Sequence, residues 1–167
     1  MQSQKTVSLS HKELINNLVG LIEKRNAHAS LSDALKDIPF SLLGEKPGNL
    51  PYSIWQLAEH IRISQWDILE FSRNAKHVSP KWPDGYWPIE GAPESEDAWQ
   101  ECINKIQADR NAFIELIKNA GDALDKVFEY GHGQSLLKEA LVLADHNSYH
   151  TGEIIVIRRL LNAWDNK

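Results

Sequence analysis

The chain of 167 residues contains a single cysteine, Cys102, so no intrachain disulfide can form and the composition fits a reducing compartment. It has no apolar run approaching the roughly 18–20 residues that a bilayer-spanning helix needs. The opening segment MQSQKTVSLSHKE lacks an apolar stretch of the kind a secretory leader carries, and a cytoplasmic chain without membrane partners is the expectation. Basic character is also missing. With a net charge of −5 and Lys and Arg scattered rather than striped, the surface lacks the clustered cations that tight nucleic-acid binding requires. No stretch alternates apolar and polar residues convincingly enough to predict a strand, and no internal repeat is visible.

What is present is helical periodicity in four long segments, within one domain spanning 1–167. The first helix should begin at Ser10, where Glu13 completes a capping box. It carries a stripe of Leu14, Ile15, Leu18, Val19, Leu21 and Ile22 and should end between Asn26 and His28. A short helical turn is expected over 32–36, followed by a Gly/Pro loop. The second long helix starts after Pro51 with a Ser53–Gln56 capping box, presents Ile54, Leu57, Ala58, Ile61, Ile68 and Leu69, and runs to about Asn74. A connection with four prolines and three aromatics, Trp82, Tyr86 and Trp87, follows. Its aromatics must be buried somewhere, either as a lid that shapes a pocket or as a plug or dimer contact. The third helix is expected from Ser95 to Gly121, with Ala98, Cys102, Ile103, Ile106, Ala112, Phe113, Leu116 and Ile117 inside. The segment from Gly121 to Gly133 is mixed and could hold extended structure. The fourth helix should run from Ser135 to about Asn162. The predicted fold is therefore all-α, a four-helix bundle. The connection between its second and third helices is too long for a tight hairpin and fits a crossover that makes the two parallel.

Histidines on apolar faces are the chemically informative residues. His146 and His150 stand four apart on the inner stripe of the last helix, between Leu143 and Ile154, so their rings share one face about a turn apart. His60 lies between Leu57 and Ile61 on the second long helix. A buried imidazole needs a partner for each ring nitrogen. Three pointing into one bundle could share a divalent metal, or could be core histidines satisfied by other groups. Spacing leaves both open. The stretch His146-Asn147-Ser148-Tyr149-His150 has Asn where a zinc protease has its glutamate, which argues against that class.

Around these histidines the chain resembles a known family. Residues 145–161, DHNSYHTGEIIVIRRLL, are similar to the C-terminal signature of the DinB-like four-helix-bundle superfamily, and residues 57–71, LAEHIRISQWDILEF, to its helix-two signature. The loop SPKWPDGYWP, residues 79–88, resembles the linker of one branch. The resemblance runs from about Tyr52 to Trp164 and concerns a family distinct from the translesion polymerase of the same name. It implies a bundle with a long crossover, a homodimer, and a divalent metal held by His60, His146 and His150. Some members are S-transferases using low-molecular-weight thiols and one is a maleylpyruvate isomerase, so a thiol cofactor is also implied as an option.

Three neutral imidazoles with an open position are the catalytic rather than the structural pattern for zinc. The expected function is a metal-dependent hydrolase or thiol S-transferase acting on a small molecule whose identity the sequence does not give. The alternative is a non-catalytic metal-binding, sensor or structural bundle. Zinc or nickel is favoured; iron, manganese and copper also accept such donors. No catalytic residue is assigned, but Glu153, three residues past His150, could orient a water or act as a base, or could simply be an ion-paired helix carboxylate. Asp145 and Glu59 point about 100° away from the ligands they precede. Tyr149 belongs to the core or its rim, His132 is a conceivable fourth ligand, His11 falls in a first helical turn, and His28 and His77 are near helix ends where a partial positive charge suits the dipole.

Overall fold

The computed structural model describes residues 10–164, and within them the chain is all-helical, with no β-strand. The leader reading of residues 1–9 lies outside these. There are five helices rather than four: α1 (His11–Glu23), α2 (Leu31–Leu35), α3 (Ile54–Arg73), α4 (Glu96–Asn119) and α5 (Leu136–Leu160). The extra one is the expected turn, which becomes a short helix because Ser30 and Asp33 form a reciprocal capping box. Arg158 of α5 then donates to the carbonyls of Asp33 and Ala34 near the other end of α2, at 3.3 and 2.8 Å.

Serine starts every helix. Ser10, Ser30 and Ser53 head full capping boxes; Ser95 and Ser135 accept from the backbone N–H three residues on. Helix ends are set less locally. α1 stops at Glu23, earlier than expected, because the Asn26 side chain turns back and donates to the carbonyls of Gly20, Leu21 and Lys24. At the end of α5, Asn162 adopts a left-handed conformation (φ 55°), which terminates the helix. Between α4 and α5 the only pairing of strand type is an isolated antiparallel bridge of Val127 with Ser135.

α3 is central, packing against α4 and α5, while α1 covers α4 and α5 from the other side. Partners rise together along α3 and α4: the Trp55 ring lies 6.5 Å from that of Trp99, and Gln65 donates to the Ile106 carbonyl at 2.6 Å. The core falls into two apolar clusters. One gathers Leu43, Ile54, Leu57, Ile61, Trp99, Ile106, Ile154 and Ile157; the other gathers Leu18, Leu69, Phe113, Ile117, Leu124, Ala140 and Leu143. Between them along α3 lie buried polar side chains, Ser64 and Gln65, with Asn147 of α5 bonded to Gln65.

The long connection from α3 to α4 is held down at several points. Asp67, buried on α3, accepts from the Tyr86 hydroxyl at 2.6 Å and pairs with His77 Nε2 at 2.7 Å. Ser53 donates to the Gly91 carbonyl at 2.6 Å. Gly44 admits the connecting loop beside it, since a Cβ there would stand 2.6 Å from the Cβ of Ala92.

Candidate metal centre

His60, His146 and His150 come together. One ring nitrogen from each lies within 4.8 Å of the others, and the Nε2 atoms of His60 and His146 are 3.1 Å apart. His60 and His150 are buried and His146 is partly buried. The helical i, i+4 spacing supplies two of the rings, and the α3–α5 packing supplies the third.

The tautomers follow from fixed acceptors. His60 Nδ1 faces the Tyr86 carbonyl at 2.9 Å; a carbonyl only accepts, so Nδ1 carries the proton and Nε2 the lone pair. His150 Nδ1 lies 2.6 Å from Glu153 Oε2, and a carboxylate likewise takes the Nδ1 proton. His146 is set by a relay. The Ile106 carbonyl fixes the amide end of Gln65, so Gln65 Oε1 accepts from Asn147 Nδ2 at 3.0 Å. That leaves Asn147 Oδ1 toward His146 Nδ1, at a long 3.4 Å. All three Nδ1 atoms thus have acceptors, and three Nε2 lone pairs are left to one another. Burial, then His150 and His60, push His146 down to about 4; burial also holds His60 below the ordinary imidazole range, against the pull of the Tyr86 carbonyl. The cluster is therefore neutral near pH 7 at these two rings.

Such a donor set fits a divalent ion. Imidazole nitrogens bound at roughly 2.0–2.1 Å stand about 2.9–3.4 Å apart for bond angles between a right angle and the tetrahedral value. The 3.1 Å separation of His60 and His146 falls inside that range.

Aromatic packing closes one side. Trp87 lies flat on His60, with centroids 3.9 Å apart and planes 1° off parallel, and Tyr52 stacks on its far face at 4.0 Å. Of the three loop aromatics, Trp87 covers the site, Tyr86 bonds Asp67, and Trp82 is exposed. Burial and the bond to Asp67 push the Tyr86 hydroxyl up to about 12. A separate cleft of about 420 Å³, which none of the three histidines lines, is bordered by Leu50, Pro51, Tyr52, Tyr149, Glu153 and Val156.

The remaining candidates separate clearly. Glu153 is occupied by His150, a partnership the i, i+3 spacing could have suggested. Tyr149 is on the rim, 65 % exposed. Glu59 pairs with Arg62 at 2.8 Å; burial works against its charge, but the guanidinium outweighs it and the carboxyl lies below its usual range. Cys102 is buried, and burial followed by the Glu59 charge pushes its thiol far up, which leaves no reactive thiolate. His132 is not in the cluster. His77 does not serve a helix end, since it bonds Asp67, and His28 lies beyond α1 and accepts from the Ser148 hydroxyl at 3.0 Å. Asp67, Gln65, Asn147 and Tyr86 were missed from sequence; a carboxylate and a carboxamide among the apolar residues of α3 were the available signals.

An all-α bundle with three convergent imidazoles, each held by an acceptor on its outer nitrogen, defines a class of metal-site scaffold. The chain belongs to the DinB superfamily, whose family model matches residues 25–154. No curated protein and no solved structure matches it. Among the described residues no helix is long and apolar enough to cross a membrane.

Proposed function

We propose that His60, His146 and His150 hold a divalent metal ion through Nε2 and that the chain is a metal-dependent enzyme acting on a small molecule. The observation that carries this reading is the convergence of three lone pairs whose outer nitrogens are all committed to acceptors. Protein groups that orient ligand imidazoles in this way are a regular part of metal sites. Zinc or nickel suits the all-nitrogen set best. Once bound to neutral imidazoles, such an ion keeps its +2 charge and supplies Lewis acidity to a water or a thiol. The chemistry supported is accordingly hydrolysis, or transfer of a low-molecular-weight thiol to an electrophile.

The chain's own residues shape that chemistry. Glu153 holds the His150 Nδ1 proton and makes that ring a stronger donor. Trp87 excludes water from the His60 side. The cleft beside Glu153, walled by Leu50, Pro51 and Val156, favours a substrate with an apolar body. We place the protein in the cytoplasm as a homodimer.

Elemental analysis of protein purified without an affinity tag tests the metal. Near-stoichiometric metal, lost in His150→Ala with helical content retained by far-UV CD, is the expected result. Less than about a tenth of an equivalent, with no gain on reconstitution, refutes it. Collapse of the helical signal on chelation would assign the ion a structural role instead.

A further inference from the structure

A second cavity, of about 470 Å³, lies on the opposite flank of α5 from the Glu153 cleft, and its volume is within the roughly 300–1,000 Å³ range of ligand pockets. None of the three clustered histidines lines it. Its apolar wall comes from Leu21 and Ile22 of α1, Leu31 of α2, and Leu141 and Ala144 of α5. Arg110 of α4 also lines it.

Arg110 is the unusual member. Its Nη1 donates to Ser32 Oγ at 3.2 Å and its Nε is sealed from solvent without a hydrogen-bond partner among the described residues, so the Nη2 edge of the guanidinium is the part left to meet a ligand. No carboxylate forms an ion pair with it there either, whereas the pairs Glu59–Arg62 and Glu70–Arg73 satisfy two other guanidinium groups. Two neighbouring polar groups, His28 and Ser148, are spent on each other. His28 Nδ1 donates to the Ala29 carbonyl at 2.8 Å, which leaves its Nε2 to accept from Ser148 at 3.0 Å. Leaving histidine aside, the lining carries Arg110 and Lys24 against Asp145, a net single positive charge.

We infer that this cavity is a second ligand site, taking a small amphipathic monoanion whose carboxylate meets Arg110 and whose hydrocarbon part lies along α1 and α5. A guanidinium presents a planar fork of donors that matches a carboxylate, and an apolar wall beside it selects against small hydrophilic ions. The single net charge fits one carboxylate rather than a dianion. The inference does not rest on the metal reading, since it uses none of the three histidines.

Octanoate is the probe, titrated into the full-length, metal-replete protein by calorimetry and by ¹H–¹⁵N NMR, with octanol and octylamine as comparators. Saturable 1:1 binding of octanoate is expected, with shifts at the amides of Ile22, Leu31, Ala144 and Ser148. Arg110→Gln should weaken octanoate about tenfold or more and leave octanol unchanged, because only the charged hydrogen bonds are lost. Ala144→Phe, which fills the cavity and keeps the guanidinium, should block octanoate; it also serves if Arg110→Gln does not fold. Binding should persist in His150→Ala, which separates this site from the metal centre. Equal affinity for octanoate and octanol, octanoate binding unaffected by Arg110→Gln or by Ala144→Phe, shifts confined to Tyr149 and Glu153, or no octanoate binding would each overturn the proposal.

Discussion

Acidifying the metal-free protein should cost it stability over a defined pH window, and His146 sets most of the size. In the unfolded chain an imidazole titrates near 6.5; in the fold, burial and the two neighbouring rings bring His146 to about 4. Above pH 6.5 the residue is neutral in both states and contributes nothing to the pH dependence. Between 6.5 and 4 the unfolded chain takes up a proton that the folded one refuses, so stability falls as pH falls. Below 4 both states are protonated and the loss is complete. At about 1.4 kcal/mol per pH unit, the interval corresponds to about 3 kcal/mol, most of it already lost by pH 4.5. Burial moves His60 in the same direction and adds to the loss. With a urea dependence of roughly 1–3 kcal/mol per molar, the midpoint should fall by about 1–3 M between pH 6.5 and 4.5. Carboxylates held by partners, such as Asp33 with Arg25 and Ser30, fail mainly below this window. Urea melts of metal-free protein and of His146→Asn at matched pH isolate the imidazole: the variant should lose much less. Parallel loss in the two proteins would show that His146 is not held neutral by the fold.

Three further outcomes follow from the site. Glu153→Gln should weaken metal binding about 10–100-fold by competition with a chromophoric chelator, toward the lower end because the carboxylate is 34 % exposed; unchanged affinity would show that it does not orient His150. Gln65→Leu strands the Asn147 amide at a fully buried position and removes the side-chain bond to the Ile106 carbonyl, and should cost about 1–3 kcal/mol in urea melts while lowering metal affinity. A stability loss without any change in affinity would break the proposed relay to His146. Asp67→Ala removes the shared acceptor of His77 and Tyr86 and should destabilise by about 1–3 kcal/mol, with Trp87 fluorescence reporting loss of the stack on His60; an unaltered spectrum and melt would count against the clamp.

The parts of this structure that sequence could reveal were those fixed within one turn of helix. Serines ahead of apolar runs located the starts of the four long helices, and the i, i+4 pair His146/His150, together with His60 among apolar neighbours, marked the centre that α3 and α5 assemble. The misses were long-range. α1 ended early because Asn26 folds back on three carbonyls, and no periodicity encodes that. α2 was too short to show a period. Gln65 meets Asn147 across 82 positions, and Asp67 reaches His77 and Tyr86 across a loop whose path no local rule gives. Glu153 was noticed, but its proton partner depends on a ring orientation that only packing decides.

One carboxylate, Asp67, fastens two distant points of the connection that carries Trp87, at His77 and at Tyr86. Freeing the indole from His60 means giving up the buried hydrogen bonds to Asp67, the Tyr86 carbonyl's bond to the same histidine, and the stack on Tyr52 together. Loosening the Asp67 pair therefore also loosens the carbonyl that keeps the proton on His60 Nδ1, so the loop's anchorage and the orientation of that ring stand or fall together.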